Sequence, residues 1–300
     1  MTAATLGFVE TPLLRIAYAE YGAGDGWPVV LSHGFPYDVH AFDEVAAILA
    51  DSGARVILPY ARGFGPTRFA NSSTMRSGQQ AARGNDILQL CDALGLAKPL
   101  IAGFDWGGNA SCVAAALWPD RFCGLVSYAG YDIIDPGEQR HGHEPGLERV
   151  CWYQHLFQTE RGRDSLTRFR RQLCRMLWQE WSPGWAFDDE TFARSAAAFD
   201  NPDFVDVVIH AYRFNFGTEE GDPALRQLEA ALAKRPQVKL PTVTLDGSTD
   251  PLKPGGTASH APLFGGRHEH RVVDGGHNLP QQHPRAFADA VLTVHRWVLE

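Results

Sequence analysis

The stretch from Leu100 to Ser111 reads Leu-Ile-Ala-Gly-Phe-Asp-Trp-Gly-Gly-Asn-Ala-Ser and contains the residue best suited to covalent chemistry, Asp105. An apolar segment, a glycine-rich turn and a run of small residues predict a strand, a tight bend and a helix. In Gly103-X-Asp105-X-Gly107 the glycines have the spacing of a nucleophile elbow, with aspartate where serine usually stands. Because aspartate also favours helix N-termini, a simple capping role is the alternative.

Two further residues could complete a catalytic set, since a carboxylate nucleophile needs a base and the base needs an orienting acid. His277 follows a predicted strand in Asp-Gly-Gly-His-Asn, and Asp250 follows an earlier one in Asp-Gly-Ser-Thr-Asp-Pro. Nucleophile, acid and histidine in this chain order are typical of hydrolases that carry the elbow. Asp132 and Asp135, after another predicted strand, are alternative candidates for the acid.

An aspartate nucleophile also indicates the class of reaction. A carboxylate that attacks a carbonyl gives an anhydride, whereas one that displaces a leaving group from saturated carbon gives an alkyl ester. The ester persists until water is activated beside it, and His277 is the predicted base for that step. We therefore expect His277 to be neutral at the working pH and activity to fall in acid.

A second turn, His33-Gly34-Phe35-Pro36, follows the predicted strand Pro28–Ser32. From there the backbone amide of Phe35 could converge with that of Trp106 on an ester carbonyl at Asp105, which predicts an oxyanion hole. A plain strand-to-helix turn with Pro36 as its corner is compatible with this role.

Strand and helix signals alternate around these turns, except in residues 136–236, where only helical periodicity and many aromatics occur. Alternation predicts an α/β fold with a mostly parallel central sheet flanked by helices. Residues 1–135 and 237–300 are the predicted core, and residues 136–236 a predicted all-helical cap inserted over the carboxyl ends of the strands. The predicted cap helices are Glu148–Thr159, Arg163–Glu180, Asp189–Phe199, Pro202–Phe216 and Pro223–Lys234.

Together, the two turns, Asp250 and Gly276-His277 resemble the α/β-hydrolase-fold epoxide hydrolases, and next to them the haloalkane and haloacetate dehalogenases. The resemblance covers nearly the whole chain. It implies that two cap tyrosines, matched here by Tyr153 and Tyr212, hydrogen-bond the epoxide oxygen as the ring opens, although both could be core aromatics.

The same resemblance implies the chemistry of the substrate site. Abundant cap aromatics predict an apolar pocket, and the residues expected to bind substrate there are His33, Pro36, Trp152 and Phe157. The expected reaction opens an epoxide to a vicinal diol, through an ester on Asp105 that His277-activated water then hydrolyses.

Dehalogenation by the same ester route and binding of a small apolar ligand without catalysis are the alternatives. Haloalkane dehalogenases usually carry asparagine where this chain has Phe35, and haloacetate dehalogenases carry arginines where it has Trp106 and Asn109. Both departures favour the epoxide.

Composition and net charge limit the kinds of molecule that this protein is expected to bind. A net charge of -8 with no basic stripe argues against nucleic acid and anionic membranes, and five widely spaced cysteines predict reduced thiols in a cytoplasmic protein. Neither a signal peptide nor an apolar run long enough to span a membrane is apparent. No cofactor or metal is expected, because His141-Gly142-His143-Glu144 lacks the spacing of a helical metal motif. The expected partners are a small apolar epoxide or halide and water, and a homodimer is compatible with the sequence.

Overall fold

The computed structural model describes residues 4–135, 137, 139 and 141–300. Residues 1–3, part of the segment inspected for a signal peptide, and Pro136, where the cap was predicted to begin, lie outside them. In the described residues nine strands form one sheet. They are β1 (Thr5–Glu10), β2 (Leu14–Tyr21), β3 (Trp27–Ser32), β4 (Ala54–Pro59), β5 (Arg68–Phe69), β6 (Leu100–Gly103), β7 (Gly124–Tyr128), β8 (Thr242–Gly247) and β9 (His268–Val273).

The strand order is β1-β2-β4-β3-β6-β7-β8-β9, with β5 beside β2. Pairs from β4 through β9 are parallel, whereas β1, β2 and β5 pair antiparallel at one side. Parallel strands bring their carboxyl ends to one edge, so the loops after β3, β6, β7, β8 and β9 are neighbours there. The predicted mostly parallel sheet is confirmed.

Helices cover both faces of the sheet. The helices of the core are α1 (Asp43–Asp51), α2 (Gln80–Ala93), α3 (Trp106–Leu117), α10 (Leu279–Gln282) and α11 (Pro284–Leu299). Successive strand residues face opposite sides. Leu31 and Leu100 pack in the cluster that includes residues of α1 and α11, whereas Val30 and Ile101 pack with α2 and α3. Two apolar faces explain why these strands read as continuous apolar runs.

Between β7 and β8, the regular elements among the described residues are helical. Five of them, together called the cap here, are α4 (Pro145–Val150), α5 (Trp152–Phe157), α6 (Glu160–Trp181), α7 (Asp189–Ala196) and α8 (Phe204–Phe216). A further helix, α9 (Arg226–Leu232), packs against α2 and α3 of the core, and Leu232 is buried there. The division into core and cap at residues 136 and 236 remains a prediction.

Differences from the predicted elements are local. One helix was predicted over Glu148–Thr159, but Cys151 interrupts it and separates α4 from α5. Strand β1 was not predicted, because it lies at the edge of the sheet with no buried residue to give an apolar alternation. No helix in the described part of the chain is both long and apolar enough to cross a membrane.

Candidate active site

Asp105 lies in the turn between β6 and α3, with φ 52° and ψ −130°. A side chain at positive φ is strained, and the surrounding backbone must be close-packed to keep it there. A Cβ on Gly107 would collide with the Ser32 carbonyl, and one on Gly34 with the Asp105 side chain. Asp105 is the N-cap residue of α3, but its side chain makes no capping hydrogen bond. Its carboxylate is therefore directed elsewhere.

The carboxylate of Asp105 meets His277 from the loop after β9. His277 Nε2 lies 3.3 Å from Asp105 Oδ2, and His277 Nδ1 lies 2.9 Å from Asp250 Oδ2. Asp250 is fixed in turn by the Leu252 amide at 2.9 Å and the Tyr128 hydroxyl at 2.9 Å. Three side chains far apart in sequence thus form one hydrogen-bonded line at the carboxyl edge of the sheet.

The alternative acids are engaged otherwise. Asp132 pairs with Lys253, whose Nζ lies 3.2 Å from Oδ1, and Asp135 accepts the Gly137 amide at 2.8 Å. Burial opposes ionisation of Asp250, but His277 and the surrounding donors outweigh it and lower the pKa of this carboxyl. Of the three aspartates, Asp250 is the one hydrogen-bonded to His277.

His277 lies between two carboxylates, which favour the protonated ring. Burial lowers the pKa of His277, but the carboxylates of Asp250 and Asp105 outweigh burial and raise it to about 10. The expectation that His277 is neutral at the working pH remains a prediction, and it requires that at least one of these carboxylates lose its charge.

A backbone donor faces the other oxygen of Asp105. The Phe35 amide donates to Asp105 Oδ1 at 2.6 Å. Trp106 is the first residue of α3, so no carbonyl of that helix can accept its amide hydrogen. One carboxylate oxygen is thus held by Phe35, and the other, Oδ2, faces His277.

Two cap tyrosines lie above this arrangement. Tyr153 on α5 and Tyr212 on α8 are 3% and 5% exposed, and their ring centroids lie 5.3 Å apart. Burial raises the pKa of both phenols well above the usual value, so both hydroxyls stay protonated. Both residues line the cavity that contains Asp105 and His277.

This cavity has a volume of about 390 Å³. The polar and charged side chains that line it include Arg83, Asn109, Asp132, Gln154, Asn215 and Lys253, and apolar residues such as Trp106, Ile134, Leu147 and Leu252 lie beside them. The pocket predicted as apolar is therefore a mixed one, in which apolar surface still forms the larger part. Most cap aromatics pack against one another behind the wall, and Phe157, for example, is fully buried between Phe35 and the two tyrosines.

The four residues expected to bind substrate are absent from the described cavity lining. His33 accepts the Ala61 amide at 3.1 Å, and burial lowers its pKa to about 4. The carbonyl of Pro36 accepts Trp178 Nε1 at 2.8 Å, and Trp152 Nε1 donates to Glu180 at 3.0 Å. These residues, like Phe157, support the residues that line the cavity.

Three residues of the candidate site were not predicted from the sequence. Tyr128 ends β7 and holds Asp250, Lys253 pairs with Asp132, and the Arg83 guanidinium lies 4.5 Å from the Trp106 ring centroid. Only Tyr128 carried a signal, since a hydroxyl ended an otherwise buried strand. No three side chains of His, Cys, Asp or Glu in the described parts of the chain cluster as metal ligands.

The comparisons with known proteins agree with this architecture. Residues 28–284 match the family model of the alpha/beta hydrolase fold. The chain is similar to a crystal structure of a proposed epoxide hydrolase from Klebsiella pneumoniae, with 40% identity, a TM-score of 0.94 and coverage of 97% of each chain.

Two curated relatives have named activities. Epoxide hydrolase B from Mycobacterium tuberculosis is 31% identical over 147 residues, which are 45% of this chain and only 40% of that protein. A haloalkane dehalogenase from Psychrobacter cryohalolentis is 26% identical over 278 residues, which cover 91% of this chain and 84% of that protein. The chain therefore belongs to the alpha/beta hydrolase fold family, as an enzyme similar to its epoxide hydrolases.

Proposed function

We propose that this enzyme hydrolyses an epoxide to a vicinal diol through a covalent ester on Asp105. The observation that carries the proposal is the position of that carboxylate, between the Phe35 amide and His277 and within a cavity lined by two protonated tyrosines. An oxygen nucleophile, a base and donors for a leaving oxygen are the parts this reaction needs.

In the first step Asp105 Oδ2 attacks a ring carbon from the side opposite the breaking C–O bond. The departing ring oxygen accepts hydrogen bonds from Tyr153 and Tyr212, and it ends as a hydroxyl after taking one proton. Because the raised pKa keeps both phenols protonated, they act first as hydrogen-bond donors. An alkyl ester on Asp105 results.

Ester formation changes the state of His277. Asp105 loses its negative charge, so one of the two carboxylates that raise the pKa of His277 no longer does so. His277 can then release a proton, which balances the proton taken by the ring oxygen, and become the neutral base. This makes the base available only after the nucleophile has reacted.

In the second step neutral His277, still oriented by Asp250, removes a proton from water, and the water oxygen bonds to the ester carbon Cγ. The Phe35 and Trp106 amides stabilise the oxyanion on Oδ1. Collapse breaks the bond between Cγ and Oδ2, the leaving alkoxide takes the remaining proton of the former water and becomes the second hydroxyl, and ionised Asp105 and imidazolium His277 are restored. The net reaction adds one water to one epoxide.

A pair of variants tests this route. Asp105→Asn should lose turnover by about 10⁴-fold or more, because the amide cannot form the ester. His277→Gln should stop after ring opening, so intact mass spectrometry with styrene oxide should show a protein adduct on the peptide that contains Asp105.

A control and an isotope experiment sharpen the test. His283→Gln changes a histidine outside the described cavity lining and should give no adduct. A single turnover of the unaltered enzyme in H₂¹⁸O should place the label in Asp105 before it appears in diol. Diol labelled in that first turnover, with an unlabelled Asp105, would contradict the ester route.

Dehalogenation is the second candidate, and the similarity to a haloalkane dehalogenase over 91% of this chain favours it. Halide release from 1-bromobutane at a rate above diol formation from styrene oxide would select this candidate.

A further inference from the structure

The cavity presents charged and amide groups beside its apolar lining. Its volume of about 390 Å³ lies near the lower end of the range for ligand pockets, about 300–1,000 Å³. A ligand in so small a space must match these polar groups, because a polar group that loses water without gaining a partner is costly. A substrate that reaches Asp105 therefore meets these polar groups as well.

Lys253 is the accessible cation of this wall. Its side chain is 35% exposed and lines the cavity, and its ammonium carries three donors. Asp132 Oδ1, at 3.2 Å, is the acceptor found for it among the described residues. Two ammonium donors therefore remain for a ligand, and Asp132 holds the lysine in place without occupying them.

The other cation that borders the cavity is not available in the same way. Arg83 is 4% exposed, and its Nη2 donates to Asn109 Oδ1 at 2.8 Å. Its Nε and Nη1 atoms are buried and have no hydrogen-bond partner among the described residues. Arg83 and His277 add positive charge to the cavity, and of the lysine and arginine side chains that line it Lys253 is the more exposed.

The cap adds a polar group without a partner. Asn215 on α8 is 8% exposed and lines the same cavity. No hydrogen bond from its side-chain amide to another described residue occurs. A buried amide that opens onto a cavity is best satisfied by a ligand or water. The cation and the amide thus both border the cavity that contains Asp105.

We infer that the substrate is an epoxide that carries a carboxylate, and that Lys253 binds this carboxylate while Asn215 supports it. The inference rests on the proposed function and adds the substrate class to it. A single ammonium in a small cavity matches a small monovalent anion, and a charge-assisted hydrogen bond is stronger than one to a neutral group. Lys253 is then the residue that determines specificity.

The test compares terminal epoxy acids, with one to four carbons between ring and carboxylate, against the matching primary amides. For at least one length, kcat/KM for the acid should exceed that for the amide tenfold or more. Lys253→Met should reduce this ratio about ten- to a hundredfold, mainly through KM, as expected for one lost hydrogen bond between charged groups. Lys253→Arg should retain most of the ratio.

Two controls separate this role from a structural one. Lys239→Met removes an exposed lysine outside the described cavity lining and should leave the ratio unchanged. Asp132→Asn keeps Lys253 but removes its competing anion, so KM for the acids should fall. Equal losses for acids and amides in Lys253→Met, or an acid-to-amide ratio of one or less in the unaltered enzyme, would overturn the inference.

Binding to Asp105→Asn distinguishes failure of this inference from failure of the proposed function. Calorimetry with the same acids and amides requires no turnover. Preferential binding of acids that depends on Lys253, without diol formation by the unaltered enzyme, would refute the epoxide reaction and support the anion subsite. Diol formation that depends on Asp105, without preference for acids, would refute the subsite alone.

Discussion

The core half and the cap half of the candidate site are held by different kinds of interaction. In the core half, a positive φ directs Asp105, and backbone amides of Phe35 and Leu252 bind the carboxylates of Asp105 and Asp250. In the cap half, Tyr153 and Tyr212 are held mainly by rings, with Phe35 6.5 Å and 5.7 Å from them, centroid to centroid.

The two halves should differ in how precisely they orient a side chain and in how well they tolerate its substitution. Backbone hydrogen bonds at strand ends fix the direction of a side chain, whereas aromatic packing fixes its neighbourhood and permits other rings of similar size. We therefore expect substitutions in the core half to stop individual chemical steps. Substitutions in the cap half should reduce rates in a graded way and alter substrate preference.

The largest effect within the core half, apart from loss of Asp105 itself, is expected for Asp250→Asn. The amide cannot stabilise imidazolium His277 and can favour the wrong tautomer, so kcat should fall by about 10³- to 10⁴-fold. Asp135→Asn is the matched control, because Asp135 accepts the Gly137 amide and does not line the described cavity. Steady-state diol formation measures both, and equal losses would contradict the assignment of the acid.

A smaller effect is expected in the cap. Tyr153→Phe and Tyr212→Phe each remove one donor to the leaving oxygen while preserving the ring, so ring opening should slow by about 10²-fold in each. The double variant should be slower than either single one. Stopped-flow measurement of ester formation in the His277→Gln background isolates this step. Unchanged rates in both single variants would show that the core half suffices for ring opening.

Protonation of His277 tests the link between the two chemical steps. Asp105→Asn mimics the uncharged ester, so the pKa of His277 should fall below its resting value of about 10. NMR titration of the imidazole nitrogens measures this directly. Since a raised pKa means that protonation favours the folded state, the unaltered protein should lose this stabilisation as pH rises through about 10. An identical pKa in Asp105→Asn would contradict the proposed timing of the base.

The smallest effect is expected for Tyr128→Phe. The hydroxyl lies 2.9 Å from Asp250 and 2.8 Å from the Gly276 carbonyl, but Leu252 and His277 also bind Asp250. Loss of one hydrogen bond should destabilise the fold by about 1 kcal/mol and lower kcat less than tenfold. Chemical denaturation and diol assays measure the two effects. A loss as large as that of Asp250→Asn would make Tyr128 an essential part of the core half.

The sequence alone determined the backbone framework of the site. Glycines around Asp105, apolar runs before Asp250 and His277, and the chain order of the three residues are local patterns, and local patterns encode strands, tight turns and helix starts. Since parallel strands share one edge, those patterns were enough to predict that the three residues follow neighbouring strands. Helical periodicity likewise predicted the cap helices α6 and α8 to within a few residues.

Tertiary structure decided which side chains meet. Asp132 and Asp250 both follow core strands, and only packing brought Asp250 to His277 and Lys253 to Asp132. Two carboxylates converge on His277, and most cap aromatics other than Tyr153 and Tyr212 pack away from the cavity. The contacts of these charged groups join residues 27 to 172 positions apart, and they depend on the cost of burying a charge or an unpaired polar group. A local sequence pattern contains neither.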